Sequence, residues 1–448
     1  MRTVHGVLFG LWAVSLMVST ARADDWPQWR GPNRDGVWRE TVLLEKFPQS
    51  QIKLRWRAPI SSGYSGPTVA DGRVYVTDRV TEPKQIERVH CFDWQSGERL
   101  WSHEYDCLYK GVGYEAGPRA SVTIDDGRAF ALGAMGHLFC FDAARGSVLW
   151  KRDLNIEYKI RMPIWGIAAS PLVEQGQVIV QIGGSAGACL VAFDVKTGEE
   201  RWRALDDAAS YAAPIMVEQA GRRVLACWTG ANVVGLDPRS GQVHWQHPFQ
   251  PKEMVISIAT PVAAGGRLFV SSFYDGALML RLKPDELAVE QIWRRLGPNE
   301  KQTEALHSII STPLLQGDFV YGVDSYGELR CLDAKTGDRL WESLQPMRGS
   351  GKPGPKIRWF TIHMVENAGK VWMFNERGEL LITKLSPGGY EEISRAKLID
   401  PTIEQLNRGV CWAHPAYAYR HVFARNDREL VAADLSAPSA GNAPSEDP

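Results

Sequence analysis

Few residues in this chain have types and spacings that could support chemistry. Gly183-Gly184-Ser185-Ala186-Gly187 has the Gly-x-Ser-x-Gly form of a nucleophile elbow, which exposes a serine for acyl transfer where a strand turns into a helix. Here the flanking runs QVIVQIGG and ACLVAFD both read as strands, so the pattern predicts a hairpin. His244 and His247 in HWQH stand three apart on a strand and project to opposite faces, which makes a poor metal site. No HExxH or CxxC accompanies them, so no catalytic residue and no metal ligand is assigned. A larger set precedes a series of short proline-containing segments: Tyr64, Arg119, Trp165, Tyr211, His307, Arg358, Trp359 and Trp412. Brought together, these rings and cations would suit a flat, anionic or sugar-like ligand, or an extended peptide. The alternative is that they close a channel mouth and satisfy nearby backbone without any ligand.

A repeat must position them. CFDWQSGERLW (91–101), CFDAARGSVLW (140–150), AFDVKTGEERW (192–202), GLDPRSGQVHW (235–245) and CLDAKTGDRLW (331–341) are copies of one phrase. The closing tryptophans are Trp101, Trp150, Trp202, Trp245, Trp293 and Trp341, with a mean spacing of 48 residues. A period of that length marks one supersecondary unit copied many times. Each unit opens on a short strand around a proline, passes a glycine turn into a β-branched and aromatic run, and reaches the Asp-turn-Gly before the tryptophan strand. Four short antiparallel strands with glycine-rich turns and no amphipathic helix describe a propeller blade. Opening strands near residues 66, 120, 170, 213, 260, 312, 362 and 415 give eight units. The fifth unit loses its glycine, and the seventh has Ile393 where a tryptophan is expected. The eighth has three strands, and KLRWRAPI (53–60) with Trp56 reads as its missing outer strand. The expected fold is therefore all-β: an eight-bladed propeller over residues 53–435, closed by an N-terminal strand that removes both unpaired edges.

The connections into the opening strands form one face of such a disc. Several are long, at 102–118, 151–167, 295–310 and 343–358, and long loops on a rigid scaffold are where binding concentrates. Lys plus Arg, 51, nearly balances Asp plus Glu, 52, so no net field favours nucleic acid. Residues 1–23 read as an export signal: Arg2 and His5, an apolar run from Val7 to Val18, then Ala21-Arg22-Ala23. That run is short of the roughly 20 residues that span a bilayer. The mature protein is expected to be a soluble monomer in the periplasm or outside the cell, with no membrane span. Residues 24–52 should pack across the outside of the ring, and 436–448 read as a disordered tail. Cys91, Cys140 and Cys331 occupy equivalent strand positions and look like small buried hydrophobes, while Cys107 and Cys411 lie in connections and could pair.

The Asp-x-x-x-Gly-x-x-x-Trp phrase resembles the tryptophan-docking motif of the pyrroloquinoline-quinone (PQQ) repeat family, and DWPQWRGPNRDGVW (25–38) is similar to the start of many exported members. The family includes quinoprotein alcohol dehydrogenases and BamB-type outer-membrane assembly lipoproteins. The resemblance implies that Trp56 and the six later tryptophans dock neighbouring blades. It also implies one of two functions. The first is a non-catalytic binding or protein-interaction module in envelope protein assembly, with a protein or small polar ligand at one face and no cofactor. The second is a PQQ-dependent oxidoreductase of alcohols or sugars, with calcium. The vicinal disulfide of those dehydrogenases is absent here, and no cysteine follows the small residues to carry a lipid.

Overall fold

The computed structural model describes residues 24–349, 351 and 354–438. The expected signal, residues 1–23, and residues 439–448 of the expected tail lie outside the described residues. Within the described part of that tail, Ser436 bridges Leu43 and the Ala437 N–H donates to the Val42 carbonyl.

Eight four-stranded antiparallel sheets make the blades of a propeller, seven of them in simple chain order. The eighth takes Ala416–Ala418, His421–Arg425 and Glu429–Asp434 from the C-terminal end and Leu54–Pro59 from the other. Trp56 faces Ala432 in that pairing. Among the described residues, helix is confined to two short segments, Leu154–Tyr158 and Gln345–Arg348. A two-stranded hairpin, Ile403–Gln405 with Arg408–Val410, is inserted before the last blade.

The repeated phrase has a local explanation at every position. The Asp carboxylate caps its turn: Asp93 Oδ1 accepts from the Gln95 and Ser96 N–H groups at 3.0 and 2.8 Å, and Asp142, Asp194, Asp237 and Asp333 repeat the pattern. A bulge then leaves one residue out of register, so that Cys91 faces Trp101 while Phe92 faces Arg99. Cys140 and Cys331 likewise face Trp150 and Trp341, small residues that leave room for an indole. Five indole N–H groups reach the next blade and donate to the carbonyl just after that blade's Asp: Trp56 to Trp94, Trp101 to Ala143, Trp150 to Val195, Trp202 to Pro238 and Trp293 to Ala334, at 2.8 to 3.1 Å, while Trp341 donates to the Ser386 carbonyl of the seventh blade at 2.9 Å. The ring lies flat against the glycine of the same turn. A Cβ on Gly198, at φ +72°, would stand 2.7 Å from the Trp150 ring. Glycine is needed there for its backbone and for its missing side chain at once.

Two blades depart from the phrase, and each is repaired. Where the fifth has lost its glycine, Trp245 donates to Gln219 Oε1 at 2.9 Å, and Gln219 Nε2 passes the link on to the Glu286 and Ala288 carbonyls. In the seventh, Ile393 is the residue left out by the bulge, and the tryptophan position belongs to Ser394, paired with Ile382. The assignment of Ile393 to that position is thereby corrected. The Ser394 hydroxyl accepts the Phe47 N–H at 3.0 Å, and the Phe47 ring packs edge-on against Trp372, so the N-terminal segment covers the gap.

That segment does more than cross the outside of the ring. Trp26 exchanges backbone hydrogen bonds with Val69 in the first blade, and the Pro27 carbonyl accepts from Ile124 N–H in the second. Arg34 donates to the carbonyls of Ser170, Pro171 and Pro214 in the third and fourth blades. Trp29 donates to Thr260 Oγ1 in the fifth at 2.7 Å and lies edge-on against His414 in the eighth, 4.2 Å between centroids. The Trp38 N–H donates to Glu366 in the seventh. Residues 26–38 therefore fill the axial channel from one side, against the expectation of an exterior strap. Burial without a carboxylate partner pulls the Arg34 pKa down to about 9, and three backbone carbonyls stand in for the missing counter-ion. All seven cysteines are free and buried, so the proposed Cys107–Cys411 pairing is not formed. Cys107 Sγ lies beside His137 instead.

Two outcomes follow from this packing. Gly176, at φ +77° with nothing near its Cβ position, shares the strained backbone of Gly198 but not its indole. In urea denaturation, Gly198→Ala should cost at least ~2 kcal/mol more than Gly176→Ala, because only the first displaces a docked ring; equal costs would remove the docking role. Burial also lowers the pKa of His307 and His363 to about 4 and of His414 to about 3, while it raises Asp324 to about 6. Between pH 4 and 6 the unfolded chain thus binds up to three more protons at the histidines and one fewer at the aspartate. Stability should rise with pH across that window by up to ~3 kcal/mol per pH unit and level off above the ordinary histidine range. A flat free energy from pH 4.5 to 7 would contradict it.

Candidate functional site

The plug leaves the opposite mouth of the channel open as a blind cup with about 950 Å3 of unfilled space, part of it open to solvent. Its floor is Trp29 with Thr260 and His414, and its walls come from the residues that precede the inner strands. Of the eight residues expected there, Tyr64, Arg119, Trp165, Tyr211, Trp359 and Trp412 line the cup. Trp165 lies 5.1 Å from Tyr211, and Tyr64 6.3 Å from Trp412, between centroids. Burial raises the Tyr64 and Tyr211 hydroxyls to about 12, so both stay protonated.

His307 and Arg358 stand behind the wall. His307 is fully buried; its Nδ1 donates to the Phe273 carbonyl at 2.9 Å and its Nε2 accepts from Gly297 N–H, which fixes a neutral ring between two loops. Arg358 pairs with Glu300 at 2.8 Å and lies 4.5 Å from the Trp359 ring centroid. It braces a tryptophan held at φ +64°, a left-handed backbone that bulky side chains rarely adopt outside functional sites. Trp412 is fixed from outside the cup by Glu376, which accepts its indole N–H at 3.1 Å and pairs with Arg408.

Other lining residues were not anticipated. Tyr114, at φ +53°, touches Trp165, Trp359 and Trp412 with centroids 5.8 to 6.4 Å apart. It lies on the long 102–118 connection, and that length was its only signal. Trp29 sits in a phrase that marked family likeness without revealing a place in the channel. Ile258, Ile309, Ile310 and His363 complete the wall, and nothing in their spacing distinguished them from core.

The cup is overwhelmingly apolar and holds no pair of groups suited to acid–base or nucleophilic work. Its histidines are committed: His363 Nε2 to the Trp412 carbonyl and His414 Nε2 to Ser121 Oγ, both at 2.8 Å. Ser185 sits at a hairpin tip with its hydroxyl on the Lys159 carbonyl. One Ser-His-Asp constellation exists on the first blade, where His90 Nδ1 is 2.9 Å from Ser102 Oγ and its Nε2 3.1 Å from Asp78 Oδ1. Asp78 is there neutralised by two bonds from Arg88 and one from Ser61 N–H, and neither Ser102 nor His90 lines the cup. It reads as a buried polar network.

A calcium-held, polyanionic quinone such as PQQ would need carboxylate ligands for the ion and several cations for its own charge. Among the described residues the cup is lined by no carboxylate and by a single guanidinium, so these residues do not fit that group. Among the described residues, no cluster of three or more His, Cys, Asp or Glu is arranged to hold a metal ion.

Comparison with known proteins agrees with this architecture. The family described as outer membrane protein assembly factor BamB matches residues 85–343. The BamB of Burkholderia pseudomallei is 26% identical over 311 residues, 67% of this chain and 62% of that protein. A quinohemoprotein alcohol dehydrogenase of Comamonas testosteroni is 24% identical over 200 residues, 42% of this chain and 26% of that enzyme. The match thus spans under two thirds of the first relative and about a quarter of the second. Among solved structures, BamB from Moraxella catarrhalis superposes with a TM-score of 0.58 at 14% identity, over 85% of this chain and 99% of that one. The Comamonas dehydrogenase gives 0.62 at 13%, over 94% and 82%. At those identities the likeness is one of fold. With the family match covering more than half of its length, this chain belongs to the BamB family of PQQ-repeat propellers.

Proposed function

We propose that the protein is a non-catalytic binding module of the cell envelope, whose cup receives a large apolar or aromatic group presented by a partner protein during envelope protein assembly. The observation that carries this reading is the cup itself: a blind, aromatic-walled cavity on one face of a rigid disc, with its histidines committed elsewhere and no carboxylate among its described lining residues. Apolar side chains extend the surface around it. Leu108, Ile164, Met254 and Leu406 are 37 to 67% exposed, and all lie on connections that enter inner strands. Aromatic pockets ringed by such residues are typical anchor points for a partner's side chain. Relatives named outer membrane protein assembly factor BamB support this reading over the oxidoreductase one.

A photocrosslinking residue at Ile164 should trap a specific envelope protein in intact cells. The adduct should disappear when Trp165→Ala and Tyr211→Ala are combined, with the melting temperature changed by only a few degrees. Adducts that persist in the double variant would place the contact elsewhere. Reduction of a dye by an alcohol or sugar, dependent on added PQQ and calcium, would instead establish the oxidoreductase.

A further inference from the structure

Among the described residues, Arg119 is the one cation lining the cup, and no carboxylate pairs with it. Its guanidinium donates from Nη1 to the Gly117 carbonyl at 2.5 Å and from Nη2 to Gly113 and Tyr114 at 2.8 and 2.6 Å. These are neutral acceptors, and among the described residues they leave Nε–H and one Nη1–H without a bonded partner. The guanidinium carbon stands 5.3 Å from the Tyr64 ring centroid and 5.7 Å from that of Tyr109. Among the described residues no carboxylate comes within ion-pair distance of it. The carboxylates nearby are engaged with other groups: Glu300 with Arg358, Glu376 with Arg408, Glu115 facing Arg79, and Asp427 accepting from Gly63 N–H beside Arg425. The histidines of the floor and wall are neutral at physiological pH, with pKa values lowered to about 3 and 4. The described lining of the cup therefore carries one net positive charge within an aromatic, weakly polar wall, where a unit charge is screened far less than in water.

Resting on the reading of the cup as a binding site, we infer that its ligand class is an aromatic ring bearing a single anionic group, the ring stacked among Trp165, Tyr211 and Trp359 and the anion on Arg119. A cationic ligand would meet the unanswered guanidinium, and a neutral ring would leave it unpaired on closure of the site. A sugar would find the Trp29, Thr260, His363, Trp412 and His414 polar groups already bonded to the protein, with the Tyr64 hydroxyl and the Trp359 indole N–H, both buried, left without partners. Holding the anion needs no movement of the 113–117 loop, because the carbonyl bonds already fix the guanidinium plane and the free N–H groups remain.

The test is calorimetric titration of the full chain with three matched probes: indole-3-propionate, its uncharged amide, and tryptamine. The acid should bind at least tenfold more tightly than either of the others, and the preference should shrink as salt rises from 20 to 300 mM. N-acetyl-tryptophan and its amide repeat the comparison with a peptide-type carboxylate, and a larger preference in that pair than in the indole pair marks a peptide as the source of the anion. Arg119→Gln should reduce the preference to within about twofold. Because Arg119 also clamps its loop, Arg119→Lys is the companion variant; it keeps the charge and should keep most of the preference at an unchanged melting temperature. Trp165→Ala should weaken all probes alike. If acid, amide and amine bind equally and Trp165→Ala still weakens them, the cup remains a binding site and the charge assignment is overturned. If no probe binds, or if Trp165→Ala changes nothing, the cup reading fails with it. A preference that survives Arg119→Gln also overturns the inference.

Discussion

A ring of blades has a hole on its axis, and everything else about this structure depends on how that hole is filled. The inner strands turn their backbone and small side chains toward the axis, and an empty channel would leave the Ser170 and Pro214 carbonyls without their Arg34 donor. The chain fills it with its own residues 26–38, which reach seven of the eight blades through backbone pairs, the Arg34 guanidinium and two tryptophans. Buried polar groups must be satisfied, and a single buried arginine that serves three carbonyls does so for two blades at once. The same insertion turns an open channel into a cup with one entrance. The plug and the binding site are thus two consequences of one piece of chain.

Around the circumference the constraint is different, because each blade must find its neighbour and no other. The repeated phrase solves this locally: an aspartate shapes a turn, its glycine leaves a flat space, and the preceding blade's tryptophan occupies that space while donating to the turn's own backbone. Each dock buries a large ring and satisfies its N–H, which is how an indole is best accommodated in a core. Blades that have lost part of the phrase keep the contact by other means, through Gln219 between the fourth and fifth and through Phe47 on the seventh. The last dock, from Trp56 to the Trp94 carbonyl, joins the two ends of the chain.

The docking tryptophans, the blade count and most of the mouth residues were legible in the sequence, because the repeat fixes register and a residue's place in the repeat fixes which end of the disc it faces. What was not legible had no counterpart in the repeat. Trp29 and Arg34 act across more than a hundred residues of chain, and no local pattern announces a segment that threads an axis. Tyr114 enters the cup through a positive φ in an irregular loop. His307 and Arg358 had the right place in the repeat, but the packing of Phe273 and Glu300 turned them to the back of the wall. Ile393 was misplaced by one residue, since a bulge shifts register without altering composition. Chemical identity of a partner is further removed still, because folds of this kind host unrelated activities.

A disc that is stiff because its channel is plugged can present a preorganised cup, with Trp359 and Tyr114 held in backbone conformations that flexible loops would abandon. That account stands or falls on residues 26–52 being part of the ring and not a dangling leader. Hydrogen exchange followed amide by amide tests it directly. The N–H groups of Trp26, Trp38, Leu44 and Ile52, which donate to Val69, Glu366, Leu435 and Lys397, should exchange as slowly as the inner strands, through global unfolding alone. Exchange of these four within minutes, while the blade strands stay protected, would show that the segment detaches on its own and that the channel is open.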